Sequence, residues 1–238
     1  MITDKKKTKT KMKNKDKIIK RFLHTVTDLH VREAAEGEAP SRTITGYAIL
    51  FGVPSEPLWS DEDSEAREVI SSEAVTKELL DNSDIKMTMF HDRQLILARS
   101  NKGVGTLTYS VDEKGVSFEF DAPNTVDGDK ALELVRRGDI SGCSFAFATR
   151  YYDDACVERK ANVVNGVTMI TYTVRAITGI YDFTLAADPA YPDTSVEARD
   201  LADSLKADDD DKSGQSKNKE KLQEQLREMR HAAEYSII

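Results

Sequence analysis

The chain has 238 residues, of which 39% are hydrophobic and 32% charged, and its formal net charge is −8. This length suffices for one sizeable domain with tails, whose core needs no disulfide or metal for stability. Two cysteines without a Cys-x-x-Cys pair argue against a disulfide framework or a zinc cluster. No apolar run approaches the roughly 18 to 20 residues of a membrane span, so we expect a soluble, intracellular protein without a membrane partner.

The N-terminal residues are strongly basic. Residues 1–20 hold nine lysines against Asp4 and Asp16. Because such a block repels itself, we predict a disordered basic arm over residues 1–21. Nothing in this arm resembles an ordered nucleic-acid motif, so we expect no nucleic-acid partner. The alternative is an arm that contacts an acidic partner or is later removed.

The middle of the chain predicts a mainly antiparallel sheet, because β-branched and aromatic residues recur at short intervals between turn residues. The predicted strands are 42–53, 86–90, 95–100, 104–112, 116–122, 143–152, 166–174 and 179–187. The segment DEKG at 112–115 joins two of them and predicts a hairpin turn in which Gly115 has a positive φ.

Two helices are predicted between these strands. In residues 71–82 a serine cap precedes apolar residues at helical spacing. Residues 125–138 have similar spacing and end at Gly138, a typical helix C-cap. The second helix leads directly into the run GDISGCSFAFA at 138–148.

The composition changes after about residue 200. Residues 201–219 form a charged linker with glycine and serine, and residues 220–238 carry an amphipathic helix with Leu222, Leu226 and Met229 on one face. Since an isolated helix of this length is marginal in water, we expect it to bind a partner helix. The alternative is an ordinary disordered extension.

The run at 138–148 contains three candidate nucleophiles, which are Ser141, Cys143 and Ser144. The local pattern explains each of them as a turn or core residue, and Cys143 is most simply a small buried side chain. Ser144 begins the apolar part of a strand, where alternation can present it to a neighbouring strand. The residues alone therefore favour Ser144 without excluding the other two.

His91 and Asp182 are the residues that could act with such a nucleophile. His91 follows the predicted strand KMTMF, and an imidazole serves as a general base near neutral pH when a neighbour fixes its tautomer. Asp182 interrupts an apolar strand, where it either marks a strand edge or orients an imidazole. No glycine-rich phosphate loop and no metal-ligand spacing is present, so we predict no cofactor and no metal.

Three segments of the chain together resemble a known family. They are MTMFHDRQLILARSNKGVGTLTYSVDEKGVSFEFDAPNT, LVRRGDISGCSFAFA and YDFTLAADPAYPDTSVEAR, in this order. They resemble the prohead maturation proteases of tailed bacteriophages, a family similar in fold to the herpesvirus assembly proteases. The resemblance spans about residues 22–200 and implies an α+β protease domain, mainly antiparallel, with a herpesvirus-protease-like β-barrel flanked by helices.

The resemblance also implies a catalytic set. The family histidine matches His91, and the family serine matches Ser144 rather than Ser141. The third position matches Asp182. The resemblance therefore predicts Ser144 as nucleophile, His91 as general base and Asp182 as the residue that orients His91.

Two positions depart from the family pattern. Ala146 stands where the family has glycine, and Asp182 stands where glutamate is usual. The shorter side chain at 182 leaves the third member open. Asp92 ranks second for this role, although neighbouring residues of a strand point to opposite faces, and His30 or His24 ranks third.

The predicted function is that of a phage serine endopeptidase, which cleaves scaffold and capsid-protein segments and itself in the immature procapsid within the host bacterial cytoplasm. The implied partners are the major capsid protein and its scaffold segment, and self-association is allowed. We expect oxyanion donors near Arg150. The alternatives are a non-catalytic assembly protein that keeps the fold, and a cysteine protease that uses Cys143.

Overall fold

The computed structural model describes residues 16–26, 29–37, 39–187 and 204–207. Contacts divide the chain into a unit of residues 1–198 and a unit of residues 199–238. In the second unit only the helical segment 204–207 is described. The predicted amphipathic helix at 220–238 and most of the predicted arm and linker lie outside the described residues, so these predictions stand as they were.

In the first unit, the described residues form fourteen β-strands and three short or medium helices. The strands are β1 (Ile19–Val26), β2 (His30–Val31), β3 (Thr43–Leu50), β4 (Trp59–Ser60), β5 (Ser64–Ile70), β6 (Asp84–Met89), β7 (Asp92–Asn101), β8 (Val104–Gly105), β9 (Leu107–Val111), β10 (Gly115–Asp121), β11 (Gly142–Thr149), β12 (Val157–Val164), β13 (Val167–Val174) and β14 (Gly179–Ala186). The helices in the first unit are a 3₁₀ helix (Ser72–Ala74), α1 (Lys77–Asn82) and α2 (Val126–Arg137).

The strands pair into three sheets. Their orders are β1-β11-β14-β6-β7-β8, β2-β3-β10-β9 and β12-β13-β5-β4. Most neighbours are antiparallel, as predicted, whereas β14 with β6 and β13 with β5 are parallel. In the parallel pair β14–β6, Thr88 and Met89 at the end of β6 lie beside Thr184 and Leu185 near the end of β14.

The three sheets are open, and the described strands do not close into the predicted barrel. The first and second sheets meet through apolar side chains instead of edge-to-edge hydrogen bonds. Phe118 of β10 lies against Phe183 of β14 with ring centroids 6.5 Å apart, and β3 packs against β11. Face-to-face packing of this kind buries apolar surface without forming a continuous ring of paired strands.

The core is centred on β11, which is buried at all eight of its positions. This strand lies between β1 and β14, so both of its edges are hydrogen-bonded. Phe145 and Phe147 stack with centroids 4.9 Å apart and are fully buried. Burying each such side chain stabilises the fold by about 1.5–3 kcal/mol, which makes β11 a rigid support for the residues it carries.

The two predicted helices differ in outcome. α2 forms as predicted: Thr125 caps its start, and Gly138 ends it with a left-handed φ of 76°. The predicted helix at 71–82 is interrupted at Val75, which is extended. The hydroxyl of Thr76 accepts the N–H of Leu79 and so caps the start of a new helix, α1.

Strand β1 was not predicted, because its alternation is hidden in a lysine-rich block. It begins at Ile19, so residues 19–21 of the predicted arm belong to the sheet. Ile19, Arg21 and Leu23 are buried, whereas Lys20 is exposed. This alternation of buried and exposed residues is the normal strand pattern. In the sequence, however, the buried Arg21 cannot be distinguished from the other positive charges of the arm.

Gly115 is a glycine for a different reason from the predicted one. The φ of Gly115 is not positive. The turn is instead held by Asp112, whose carboxylate accepts the N–H groups of Lys114 and Gly115. A Cβ at Gly115 would lie 1.9 Å from the carbonyl oxygen of Ile49. The close approach of β3 therefore excludes a side chain here.

Candidate active site

The candidate site lies where β11, β14 and the end of β6 meet. Ser144 of β11 lies opposite Thr184 of β14 in the antiparallel register. Asp182 is two residues earlier on β14 and so lies on the same face of the sheet as Thr184. Because β6 runs parallel to β14, the turn after Met89 carries His91 over this face.

His91 is hydrogen-bonded at both ring nitrogens. Its Nδ1 lies 2.8 Å from Oδ1 of Asp182, and its Nε2 lies 2.9 Å from Oγ of Ser144. A neutral imidazole satisfies both contacts when Nδ1–H donates to the carboxylate and Nε2 accepts the Ser144 hydroxyl proton. The three predicted residues are therefore brought together in the order hydroxyl, imidazole, carboxylate.

The three side chains differ in exposure. Ser144 is fully buried, the side chain of Asp182 is 7% exposed, and that of His91 is 22% exposed. Water is thus largely excluded from the contact between His91 and Asp182. In such surroundings the attraction between a carboxylate and an imidazolium is less screened than at a surface.

The turn that carries His91 has an uncommon backbone. Phe90 and His91 both have left-handed φ values, 55° and 56°. For residues with a side chain this conformation costs about 1–2 kcal/mol each. Two hydrogen bonds hold the turn to β14: Phe90 N–H donates to the carbonyl of Leu185 at 3.1 Å, and His91 N–H donates to Oγ1 of Thr184 at 2.9 Å.

Asp92 takes no part in the contact between His91 and Asp182. It is exposed at the start of β7, and its carboxylate accepts the N–H of Gln94 at 2.8 Å. That bond closes a local turn. Of the two aspartates considered for the third position, the structure brings Asp182 against His91.

The two histidines ranked third lie in different places. His30 is on β2 of the second sheet, where it pairs with Thr45. The backbone of His24 on β1 lies opposite Ser144, and its side chain is outside the described part of the chain. The described contacts therefore support neither histidine as the partner of His91.

The other candidate nucleophiles are placed differently from Ser144. Ser141 is exposed and precedes β11, as expected of a turn residue. Cys143 is fully buried, and its thiol donates to the carbonyl of Ser144 at 3.5 Å. Burial raises the pKa of the Cys143 thiol well above its ordinary value, so the thiolate needed for attack is disfavoured.

The predicted oxyanion position near Arg150 is wrong. Arg150 follows the end of β11, and its guanidinium lies 3.9 Å from Asp153. It is six residues beyond Ser144 along an extended strand, which at about 3.3 Å per residue separates the two by roughly 20 Å. Backbone groups at Arg150 are therefore out of reach of a carbonyl attacked by Ser144.

Two threonines at the site were missed by the sequence analysis. Thr88 of β6 and Thr184 of β14 are fully buried, and their hydroxyl oxygens lie 2.7 Å apart. The available signal was a hydroxyl residue inside each of two apolar strands, KMTMF and DFTLAA. That signal alone does not say which groups the hydroxyls contact, because the contact depends on the pairing of β6 with β14.

The part of the chain that the structure describes contains neither a metal-ligand cluster nor a membrane-spanning helix. No group of three histidine, cysteine, aspartate or glutamate side chains there could hold a metal ion. No helix among the same residues is long and apolar enough to cross a membrane.

A serine hydroxyl, an imidazole and a carboxylate in this order are the arrangement that serine peptidases use. A family model described as caudovirus prohead serine protease matches residues 27–207. The match covers well over half of the chain, so the chain belongs to the caudovirus prohead serine protease family, as predicted. Among solved structures the chain is similar to the capsid assembly protease of bacteriophage T4, with 10% identity, a TM-score of 0.35, and coverage of 71% of this chain and 97% of that chain. No curated protein matches the chain.

Proposed function

We propose that this chain is a serine endopeptidase that cleaves scaffold and capsid-protein segments, and its own chain, inside the immature procapsid of a tailed phage. The observation that carries the proposal is the unbroken hydrogen-bonded series Ser144, His91 and Asp182 in a member of the prohead serine protease family. The major capsid protein and its scaffold segment are the proposed partners, and the procapsid in the host cytoplasm is the proposed location.

Each residue has a defined role in this mechanism. The Ser144 hydroxyl attacks the scissile carbonyl while Nε2 of His91 takes its proton. Asp182 stabilises the imidazolium that forms, and His91 then gives the proton to the leaving amine. Water hydrolyses the acyl-enzyme by the same route. General acid–base assistance of this kind is typically worth about 10²- to 10⁴-fold in rate.

The burial of the site bears on how a substrate reaches it. Ser144 has no exposed surface, and His91 is the most exposed of the three residues. We therefore infer that a peptide approaches from the side of His91 and that the residues covering Ser144 move aside. Such covering agrees with a protease that stays inactive until its substrates are assembled around it.

The proposal is tested by co-expression with the major capsid protein and intact-mass analysis of the products. We expect the wild-type chain to shorten the capsid protein at defined positions. Ser144→Ala and His91→Ala should each lower the processing rate by at least about 10³-fold, because either change removes the attacking or the proton-accepting group. Self-cleavage products of this chain should disappear in the same variants.

Two neighbouring variants serve as controls. Ser141→Ala and Cys143→Ala should process the capsid protein at a rate close to wild type, because neither side chain contacts His91 in the described contacts. Unchanged processing by Ser144→Ala would favour the non-catalytic assembly protein. Loss of processing in Cys143→Ala alone would favour the cysteine protease.

A further inference from the structure

The backbone of His91 is held by a side chain and not by the main chain of the neighbouring strand. Phe90, the preceding residue, donates its N–H to a main-chain carbonyl, that of Leu185, at 3.1 Å. His91 instead donates its N–H to the hydroxyl oxygen of Thr184 at 2.9 Å. The second of the two bonds that hold this left-handed turn therefore depends on which residue stands at position 184.

Thr184 is itself fixed in place. It is fully buried, and its Oγ1 lies 2.7 Å from the hydroxyl oxygen of Thr88 on the neighbouring strand. A β-branched side chain has few rotamers, and a second hydroxyl contact restricts it further. The acceptor offered to His91 therefore has little freedom to move.

His91 is thus held by β14 at two points. Asp182 binds the ring at Nδ1 with a separation of 2.8 Å, and Thr184 binds the main-chain N–H at 2.9 Å. These two residues lie on the same face of the strand, and Thr184 is also directly opposite Ser144. One short segment of β14 accordingly sets the position of His91 relative to Ser144.

We propose that Thr184 is a positioning residue for His91. Its hydroxyl keeps the turn at residues 90 and 91 in the left-handed conformation, which places Nε2 of His91 at 2.9 Å from Oγ of Ser144. The inference rests on the proposed function, since it concerns the geometry of the same three residues. Misplacing a catalytic group by about 1 Å can cost about 10²-fold in rate.

The test compares Thr184→Val with Thr184→Ser, with purified capsid-protein precursor as substrate. Valine keeps the shape of threonine and removes the acceptor, whereas serine keeps the acceptor. We expect Thr184→Val to lower kcat by about 10- to 100-fold with little change in KM, and Thr184→Ser to stay within several-fold of wild type. Thr149→Val is the matched control: it removes a fully buried hydroxyl from the same sheet, one that donates to the carbonyl of Ala176 and not to Thr184 or His91 in the described contacts.

A second readout does not depend on cleavage. The Nδ1 proton of a histidine bonded to a carboxylate gives a downfield proton resonance. We expect this signal of His91 in the wild-type chain, in Thr184→Ser and in Thr149→Val, and its loss or upfield shift in Thr184→Val. If Thr184→Val does not fold, Thr184→Ala and Thr184→Ser form a second pair that differs by one hydroxyl.

The outcomes separate this inference from the proposed function. A kcat equal to that of the wild-type chain, together with an unchanged resonance, in Thr184→Val would overturn the role of Thr184. The proposed protease function would be unaffected by that result. Equal losses in Thr149→Val and Thr184→Val also overturn it, because they indicate a general effect of buried hydroxyls. An inactive wild-type chain contradicts the proposed function, and the resonance then decides the positioning role by itself.

Discussion

Asp182→Asn is expected to lower kcat for capsid-protein cleavage by about 10⁴-fold while the chain stays folded. The carboxylate of Asp182 accepts the Nδ1 proton of His91 at 2.8 Å, which leaves Nε2 free to accept the proton of Ser144. An asparagine side chain can donate to Nδ1, which favours the tautomer with the proton on Nε2. It also lacks the charge that stabilises the imidazolium. The measurement is the single-turnover rate with purified capsid-protein precursor.

Asp92→Asn is the matched control, since it makes the same chemical change one residue from His91. Asp92 is exposed, and its described contact is with the N–H of Gln94. The cleavage rate of Asp92→Asn should therefore remain within about 2-fold of wild type. Equilibrium unfolding should show that both variants are folded. Near-normal activity in Asp182→Asn, with a large loss in Asp92→Asn, would reassign the third position.

Glu68→Met is expected to lower the free energy of unfolding by about 3–5 kcal/mol. Glu68 of β5 pairs with Arg21 of β1 at 3.2 Å, and their side chains are 0% and 3% exposed. Burial by itself lowers the pKa of the Arg21 guanidinium, but the charge of Glu68, the nearby Tyr151 and the hydrogen bond to Glu68 together hold the pKa above its ordinary value. Removing the carboxylate leaves a buried cation without a counter-charge. Urea unfolding at neutral pH measures the loss.

The double variant Arg21→Met with Glu68→Met is the control for the buried pair. Because the two charges disappear together, it should recover most of the loss. Asp139→Asn tests an exposed pair for comparison: Asp139 lies 2.9 Å from Arg137, with side chains 45% and 61% exposed, and should cost at most about 1 kcal/mol. A loss in Glu68→Met no larger than that of Asp139→Asn would contradict the expectation that this buried pair stabilises the fold.

Much of the sheet could be predicted because its strands carry local signals. β11 and β14 are apolar runs bounded by turn residues, and α2 has both a capping threonine and a terminal glycine. The lysine-rich block concealed β1, whose buried arginine has its counter-charge on β5, 47 residues away. A strand whose buried face carries a charge is recognisable only once its partner is known.

The candidate site was predictable in its residues but not in its geometry. The resemblance selected Ser144, His91 and Asp182, whereas the local pattern left Ser141 and Cys143 open. The left-handed turn at Phe90 and His91 has no sequence signal, because neither residue is a glycine or asparagine. The contact of His91 with Thr184 joins residues 93 positions apart and follows from the parallel pairing of β6 with β14, which periodicity does not predict.

In the proposed mechanism Ser144 is the nucleophile, and His91 activates it. The most direct measurement is labelling of the wild-type chain with a fluorophosphonate, followed by intact-mass analysis and peptide mapping. We predict one adduct per chain on Ser144, none in Ser144→Ala, and much slower labelling in His91→Ala. An adduct on Ser141 or Cys143, or undiminished labelling of Ser144→Ala, would contradict this account.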